Sequence, residues 1–347
     1  MPYTYEDLPE HLVDAVNDIT ERLRVAKEMD YSPQMEAEAE AAYDEAAAIN
    51  FPQLMVIAAM IRFASEFERS EYRAGVASYV RLLKLNRQYA DYLEEGIDTT
   101  VHTLVIFTIS AMLQLPEASL AQLTGLIDQL ERAHRDTGAS LGPIYICRAQ
   151  VAAERGDLPE LRDWHERWQS AERGELLDPE FEARLNVEFY GQLDPARELE
   201  YIDTVAWQFE DSAAYTGVER AMALQRLGRA DEALAQAHEM LAAFSPEELA
   251  ETADISYLLR VLEPDRAAAL ELMAAYPEVF ADGGANSDAN DLFTLASGAR
   301  LLLADPATAA EGAALRERAF EYAAAYDARN GTAYHSDRLR TEWFEDS

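Results

Sequence analysis

The strongest constraint on the fold is a two-helix pattern between residues 212 and 246. Its apolar residues, such as Leu234, Ala237 and Leu241, recur at spacings of three and four, which is the period of an amphipathic α-helix. Gly228 interrupts the pattern, and glycine is the residue that most often ends a helix. The stretch therefore predicts two antiparallel helices joined by a tight turn, the second at about residues 230–244.

The rest of the chain has the same character, with strong helix formers and no strand-like alternation. Several helix starts are marked by a capping side chain before a proline, a pair that satisfies one orphan amide and removes another. These pairs are Ser32-Pro33, Asp178-Pro179, Asp194-Pro195, Ser245-Pro246 and Asp305-Pro306. The sequence predicts an all-α fold.

The predicted hairpin turns recur along the whole chain. They lie near residues 31, 70, 115, 156, 193, 228, 263 and 305, at intervals of 35 to 45 residues. Such periods with two helices per unit indicate an α-solenoid, in which stacked hairpins share one core. We predict an acidic N-terminal hairpin or cap at 1–50, a repeat array at 51–280, and a loop with C-terminal capping helices at 281–347. The last region includes helices at 292–304 and 307–329 and a short one at 336–344.

The hairpin at 212–246 resembles the tetratricopeptide repeat, whose pattern is a 34-residue helical hairpin with small residues where the helices touch. Ala221 and Ala233 fall on the small positions, and Leu224 falls on an aromatic one. Pro246 comes one residue late for the closing proline. The resemblance is clear here and partial elsewhere, and it implies a right-handed solenoid of about eight hairpins. Other helical-hairpin families remain alternatives on period alone.

This resemblance also implies a concave groove, lined by the first helix of each hairpin, where the family usually binds peptides. The positions that match the inward-facing ones of the family are mostly apolar, and their methionines can repack around a ligand. They are Ile57, Met60, His102, Val105, Ile109, Met112, Ile146, Gln150, Val187, Tyr190, Val218, Met222 and Gln225. The alternative is that these residues form core between repeats, or that the C-terminal helices fill the groove.

Charge excludes some classes of partner. The net charge is -36, which argues against nucleic acid or an anionic membrane surface because like charges repel. Residues 1–50 carry a net -10, residues 51–150 carry -2, and residues 151–347 carry -24. The near-neutral part contains the two most apolar predicted helices, Leu54–Phe67 and Val101–Leu115. Lysine occurs only at Lys27 and Lys84, and this arginine bias with abundant alanine is typical of a high-GC bacterial genome.

No pattern of catalytic or ligand-binding residues is present. The sequence lacks the phosphate-binding, dinucleotide-binding and nucleophile-elbow motifs, and its histidines have no zinc-like spacing. Cys147 is the only cysteine, so no internal disulfide can form, and its apolar surroundings indicate a buried thiol. We expect no catalytic residues, no cofactor and no metal. The acidic start lacks a secretory signal, which favours the cytoplasm.

These observations predict a non-enzymatic interaction scaffold. Its groove would take an apolar or amphipathic peptide or helix, whose basic flanks would meet an acidic rim. The alternative of another class is a structural homo-oligomer that assembles through the apolar region 51–115. An enzyme with an unrecognised site is the least favoured interpretation.

Overall fold

The computed structural model describes residues 2–94, 96–172, 179–204, 213–246, 248–249, 255–280 and 289–344. All secondary structure in these ranges is helical, with no strand, which confirms the all-α prediction. The chain divides into two compact units. Unit 1 comprises Met1–Gln150 and Arg167–Leu176, and unit 2 comprises Val151–Glu166 and Leu177–Ser347. The predicted domain boundaries near residues 50 and 280 stay predictions.

Helices next to each other in the chain pack as pairs within each unit. Short 3-10 helices occupy Glu10–Leu12 and Ala90–Tyr92, and a π-helix occupies Leu339–Phe344. The α-helices in chain order are α1 Val13–Lys27, α2 Pro33–Ala48, α3 Pro52–Glu68, α4 Tyr72–Tyr89, α5 Ile97–Thr103, α6 Val105–Leu113, α7 Leu120–Thr137, α8 Gly142–Glu154, α9 Leu158–Ser170, α10 Pro179–Leu193, α11 Pro195–Thr204, α12 Ala213–Arg226, α13 Ala230–Ala243, α14 Ile255–Val261, α15 Arg266–Ala274, α16 Pro277–Phe280, α17 Ala289–Leu303, α18 Ala309–Asn330 and α19 Tyr334–Arg338.

Capping explains where several of these helices begin. The Ser32 hydroxyl accepts a hydrogen bond from the Met35 amide at 3.2 Å. The Asp194 carboxylate accepts from the amides two and three residues later, at 3.1 and 3.3 Å. Ser245 and Glu248 exchange the two hydrogen bonds of a capping box, at 3.3 and 2.7 Å. These three predicted caps are confirmed, whereas Asp178 and most of the 281–291 loop lie outside the described residues.

The helix predicted at 307–329 begins later in the structure than expected. The Asp305 carboxylate accepts from the Ala307 amide at 2.9 Å, yet α18 begins only at Ala309. The reason is a turn held by the Thr308 hydroxyl, which donates to the Leu302 carbonyl at 2.8 Å. The predicted start at Ala307 was therefore wrong by two residues.

The apolar run Val101–Leu115 is not one helix. It is divided between α5 and α6, which meet at Leu104. Threonine hydroxyls bond back to carbonyls on both sides of this point, from Thr103 to Thr99 at 2.9 Å and from Thr108 to Leu104 at 3.1 Å. Such back-bonding bends helices. The expectation of one continuous helix was wrong for this reason.

The hairpin that dominates the sequence pattern is present in unit 2. Helices α12 and α13 are joined through Gly228, whose φ of 74° is in the left-handed region that favours glycine. Ala221 and Ala233 are both fully buried. Small side chains at these positions let neighbouring helix backbones approach.

The C-terminal segment docks onto unit 2 through one aromatic side chain. Trp343 is fully buried, stacks on Phe293 with ring centroids 4.9 Å apart, and donates from its indole nitrogen to the Ser297 hydroxyl at 2.9 Å. The segment was predicted as a short helix at 336–344. It consists of α19 followed by the π-helix, and the indole N–H of Trp343 has a hydrogen-bond acceptor in Ser297.

Helices α17 and α18 pack so closely that one position between them admits only glycine. A Cβ on Gly312 would lie 2.7 Å from the Leu303 amide nitrogen and 3.0 Å from the Ala299 carbonyl oxygen. Both atoms belong to the backbone, so a side chain cannot move aside to make room. Gly125 on α7 is exposed and has nothing within 4 Å of the same atom.

We therefore expect Gly312→Ala and Gly125→Ala to change the stability of the protein in opposite directions. Inside a helix, alanine is more favourable than glycine by about 1 kcal/mol. Gly125→Ala should therefore raise the free energy of unfolding by about 0.5–1 kcal/mol. Gly312→Ala should lower it by about 1–3 kcal/mol, because overpacking forces the helices apart. Urea titration followed by circular dichroism measures both. Equal stabilisation by the two substitutions would contradict the close approach.

Candidate functional site

Unit 1 contains an apolar groove, defined here by the residues that line it. Its volume is about 580 Å³, within the range typical of ligand pockets. The lining residues are Tyr5, Thr20, Leu23, Arg24, Lys27, Tyr31, Met35, Leu54, Ile57, Met60, Ile61, Phe63, Ala64, Phe67, Glu68, Ile97, Leu104 and Phe107. They come from the segment before α1 and from helices α1, α2, α3, α5 and α6, with Tyr31 and Leu104 in the connections.

Helix α3 contributes most of the groove. Ile57, Met60, Ala64 and Phe67 follow one another at spacings of three and four, so they share one helix face. All four are only half-buried, whereas the rest of α3 is largely packed inside unit 1. With a rise of 1.5 Å per residue, this apolar stripe is about 15 Å long.

A second apolar wall comes from α5, α6 and the break between them. Ile97, Leu104 and Phe107 line the groove and are also half-buried. The rings of Phe67 and Phe107 meet edge to face, with centroids 5.3 Å apart. Half-exposed large apolar residues on both sides make this a continuous apolar surface, which is the kind that marks binding sites in folded proteins.

The third wall is one face of α1, and it carries two of the three charged groups that line the groove. Leu23 is buried, and Lys27 follows one turn later with its side chain exposed. Arg24 also lines the groove, and Glu68 stands at the end of the α3 wall. Tyr31 has a raised pKa because burial disfavours the phenolate and the Glu68 charge repels it.

Only two of the thirteen predicted groove residues, Ile57 and Met60, line this groove. In unit 1, His102 is half-buried beside Asp98, with 3.4 Å between imidazole and carboxylate. The Gln150 amide donates to the Ser110 hydroxyl at 2.8 Å. The other predicted residues of unit 1 are buried among its helices, namely Val105, Ile109, Met112 and Ile146.

The remaining five predicted residues belong to unit 2. Val187, Val218 and Met222 are buried, and Gln225 is half-buried. Tyr190 lines a separate polar pocket of about 590 Å³ at the α10–α11 hairpin. There the Arg197 guanidinium lies over the Tyr190 ring, 4.9 Å from its centroid. The Arg197 guanidinium is therefore already engaged in a cation–π contact with Tyr190.

Sequence reasoning missed most of the groove. Ala64 and Phe67 continue the predicted Ile57–Met60 stripe by one and two turns, so helical spacing was a signal that could have found them. Lys27 and the rest of the α1 wall had no such signal, because they lie in the region interpreted as an acidic cap. Their position depends on the packing of α1 beside α3.

Among the carboxylates of unit 2, Glu188 stands in an unfavourable electrostatic setting. Glu188 on α10 keeps contact with solvent. The protein around it nevertheless displaces part of the hydration of its carboxylate, and the nearby Glu154 carboxylate repels its charge. Together these effects raise the pKa of Glu188 to about 7. Glu154 itself accepts from His335 at 3.0 Å and pairs with Arg329.

This pKa predicts a pH-dependent effect of Glu188→Gln. The pKa in the unfolded chain is near 4.5, so the folded protein retains the proton to higher pH. Ionised Glu188 then destabilises the fold fully above about pH 7 and progressively less towards pH 4.5. Glu188→Gln should therefore increase the free energy of unfolding more at about pH 8 than at about pH 5.5.

Urea titrations at the two pH values measure this difference. Glu200→Gln on α11 is the control, since it removes the same charge from unit 2 at a position 12 residues further along the chain. A gain from Glu188→Gln that is equal at both pH values would contradict the raised pKa.

The described residues offer no group of three or more His, Cys, Asp or Glu side chains placed to hold a metal ion. Cys147 is buried, which confirms the sequence prediction, and burial raises the pKa of its thiol. Within the described helices, none is both long and apolar enough to span a membrane. Comparisons of the chain with protein-family models, curated proteins and solved structures found no match.

Proposed function

We propose that this protein is a non-enzymatic interaction scaffold that binds an apolar or amphipathic segment of a partner protein in the groove of unit 1. The observation that carries the proposal is the half-buried stripe Ile57–Met60–Ala64–Phe67, which faces a second apolar wall in a groove of about 580 Å³. The apolar side chains of the bound segment would cover the open side of this groove.

The shape of the groove favours a helical segment. Amphipathic helices dock into apolar grooves through side chains at spacings of three, four and seven. A stripe about 15 Å long offers room for about three turns of such a helix. Met60 and Met35 add adaptability, because unbranched thioether side chains repack around different shapes.

The wider architecture belongs to the same proposal. A right-handed solenoid of about eight hairpins, resembling tetratricopeptide repeats, is supported by the pairwise packing of neighbouring helices. It is also supported by the buried Ala221 and Ala233 and by the turn at Gly228. A cytoplasmic setting without nucleic acid, membrane or cofactor remains part of the proposal, supported by the net charge of -36 and the single cysteine.

Met60→Glu tests the groove. A carboxylate at this half-buried position would have to lose water when an apolar segment docks, so capture of the native partner should fall by about tenfold or more. Val80→Glu is the matched control, since Val80 is 43% exposed on α4 and does not line the groove. Affinity capture from native lysate, quantified by mass spectrometry, compares the wild type with the two variants.

Circular dichroism and melting of each variant accompany that experiment. We expect both variants to remain folded, because neither position is part of the buried core. Equal capture by all three proteins would overturn the proposed site. If Met60→Glu unfolds the protein, Ile57→Gln replaces it, since Ile57 lines the groove and is also half-buried.

A homo-oligomer is the second candidate, because most of the apolar lining comes from residues 54–107, inside the region 51–115 predicted to assemble. In that case a second copy would cover the groove. Light scattering should then give a mass above 38.8 kDa that falls to the monomer value in Met60→Glu. A monomeric mass that is independent of concentration would exclude this candidate.

A further inference from the structure

Two histidine side chains of unit 1 lie against each other, and neither is among the residues that line the groove. The ring centroids of His102 on α5 and His134 on α7 are 5.6 Å apart. His134 is fully buried, whereas His102 is half-buried and keeps contact with solvent. Each imidazole has two nitrogen atoms. The hydrogen bonds around the pair therefore show which nitrogen of each ring is left for a ligand.

His134 leaves one nitrogen without a partner. Its Nδ1 atom is 2.6 Å from the carbonyl oxygen of Ser140. A carbonyl oxygen only accepts hydrogen bonds, so Nδ1 carries the ring proton and donates it. The neutral ring then has its lone pair on Nε2, which is buried and has no hydrogen-bond partner among the described residues. A buried acceptor in this state calls for a ligand such as a water molecule or an ion.

His102 is oriented in a similar way by a carboxylate. Its Nδ1 atom lies 3.4 Å from one oxygen of Asp98, which is one turn earlier on α5. The other oxygen of Asp98 accepts a hydrogen bond from the Asn86 amide at 2.6 Å. No arginine or lysine forms an ion pair with Asp98 in the part of the chain that the structure describes. Asp98 therefore places one negative charge beside the histidine pair.

These contacts are the ones that orient metal-binding imidazoles. A histidine that binds a metal through one nitrogen usually donates its other ring N–H to a carboxylate or a backbone carbonyl, and here those acceptors are Asp98 and Ser140. Zinc–nitrogen bonds are about 2.0–2.1 Å long, so two imidazoles on one tetrahedral ion have ring centroids about 5 Å apart. The observed separation of 5.6 Å is close to that value.

We propose that His102 and His134 bind one divalent transition-metal ion, such as Zn²⁺, Ni²⁺ or Cu²⁺, through their Nε2 atoms. Imidazole nitrogen suits these ions, whereas Mg²⁺ and Ca²⁺ take oxygen ligands. Two protein ligands do not fill the coordination sphere, so water completes it from the solvent-exposed side of His102. The ion gives the buried Nε2 of His134 a partner, and the charge of Asp98 offsets part of the charge of the ion.

Such an ion ties α5 to α7. The short helix α5 packs on α4 and α6, and its first residue, Ile97, lines the groove. An ion that binds only the folded protein stabilises it by mass action. The ion therefore stabilises this part of unit 1 whether or not the groove binds a segment, so the inference does not depend on the proposed function.

Competition with a colorimetric chelator measures the binding of Zn²⁺ to the full-length, tag-free protein. The protein is first stripped of metal and then titrated in excess Mg²⁺, which occupies carboxylates but not imidazoles. We expect one Zn²⁺ per chain. His102→Gln should weaken this binding by about tenfold or more, because loss of even an outer hydrogen-bond partner of a metal ligand costs about 10- to 100-fold in affinity.

His238→Gln is the matched control. His238 on α13 also lies 3.4 Å from a carboxylate oxygen, that of Asp265, but no second imidazole stands beside it among the described residues. Its replacement should leave the binding of Zn²⁺ unchanged. Circular dichroism of each variant checks that it remains folded.

Electron paramagnetic resonance of bound Cu²⁺ identifies the ligands directly. With one Cu²⁺ per chain, the wild type should show two imidazole nitrogens, and both His102→Gln and His134→Gln should show fewer. His134 is buried, so if His134→Gln unfolds the protein, His102→Gln alone supplies the comparison.

The outcomes decide the inference as follows. A lack of Zn²⁺ binding in excess Mg²⁺ would overturn it and leave water as the partner of His134. Binding that His102→Gln and His238→Gln weaken equally, or a Cu²⁺ spectrum with a single imidazole nitrogen, would also overturn it. One ion per chain that depends on His102 but not on His238, with two imidazole nitrogens, would support it.

Discussion

The burial of α3 between its neighbours is the constraint on which the rest of unit 1 depends. Helix α3 packs on α2, on α4 and on α1, and residues such as Leu54, Val56 and Phe63 are almost wholly inside. A helix that is apolar on nearly all sides needs cover on nearly all sides. Its neighbours leave the apolar stripe from Ile57 to Phe67 half-covered, and that stripe is the floor of the groove.

A charge network fixes the orientation in which α3 is buried. Glu40 of α2 pairs with Arg62 of α3 and with Arg81 of α4, each at 2.8 Å, and these arginines lower the pKa of the Glu40 carboxyl. Arg62 also pairs at 2.7 Å with Glu66, which is fully buried. Partly buried pairs of this kind specify geometry more than they add stability. Rotation of α3 about its axis would separate Arg62 from Glu40, so this pair helps to keep the same face of α3 turned to the groove.

Local chemistry made much of the fold predictable. Caps such as Ser32 and Asp194, and the glycine turn at 228, act through hydrogen bonds between residues close in the chain. Sequence spacing therefore reveals them directly. The break at Leu104 depends on threonine hydroxyls competing for carbonyls, a balance that apolar periodicity does not register. The fit of Gly312 against the backbone of α17 is tertiary and left no pattern at all.

The candidate site was less predictable, for a related reason. Helical spacing separates one face from another, but it does not say which apolar face the neighbours leave uncovered. Ile57 and Ile109 both occur on apolar helices, yet Ile109 is fully buried and Ile57 is not. Which residue is free is decided by how α1, α5 and α6 are placed around α3. The side chains of α1 became relevant only once that placement was known.

Charge illustrates the same difference between the whole chain and one site. At physiological salt the Debye length is about 8 Å, so most of the 65 acids have little effect on an ion at the groove. Net charge then governs mainly how often a partner arrives, whereas contacts at the groove govern how long it stays. An acidic segment would arrive more slowly than a basic one. It would remain bound through the apolar stripe of α3.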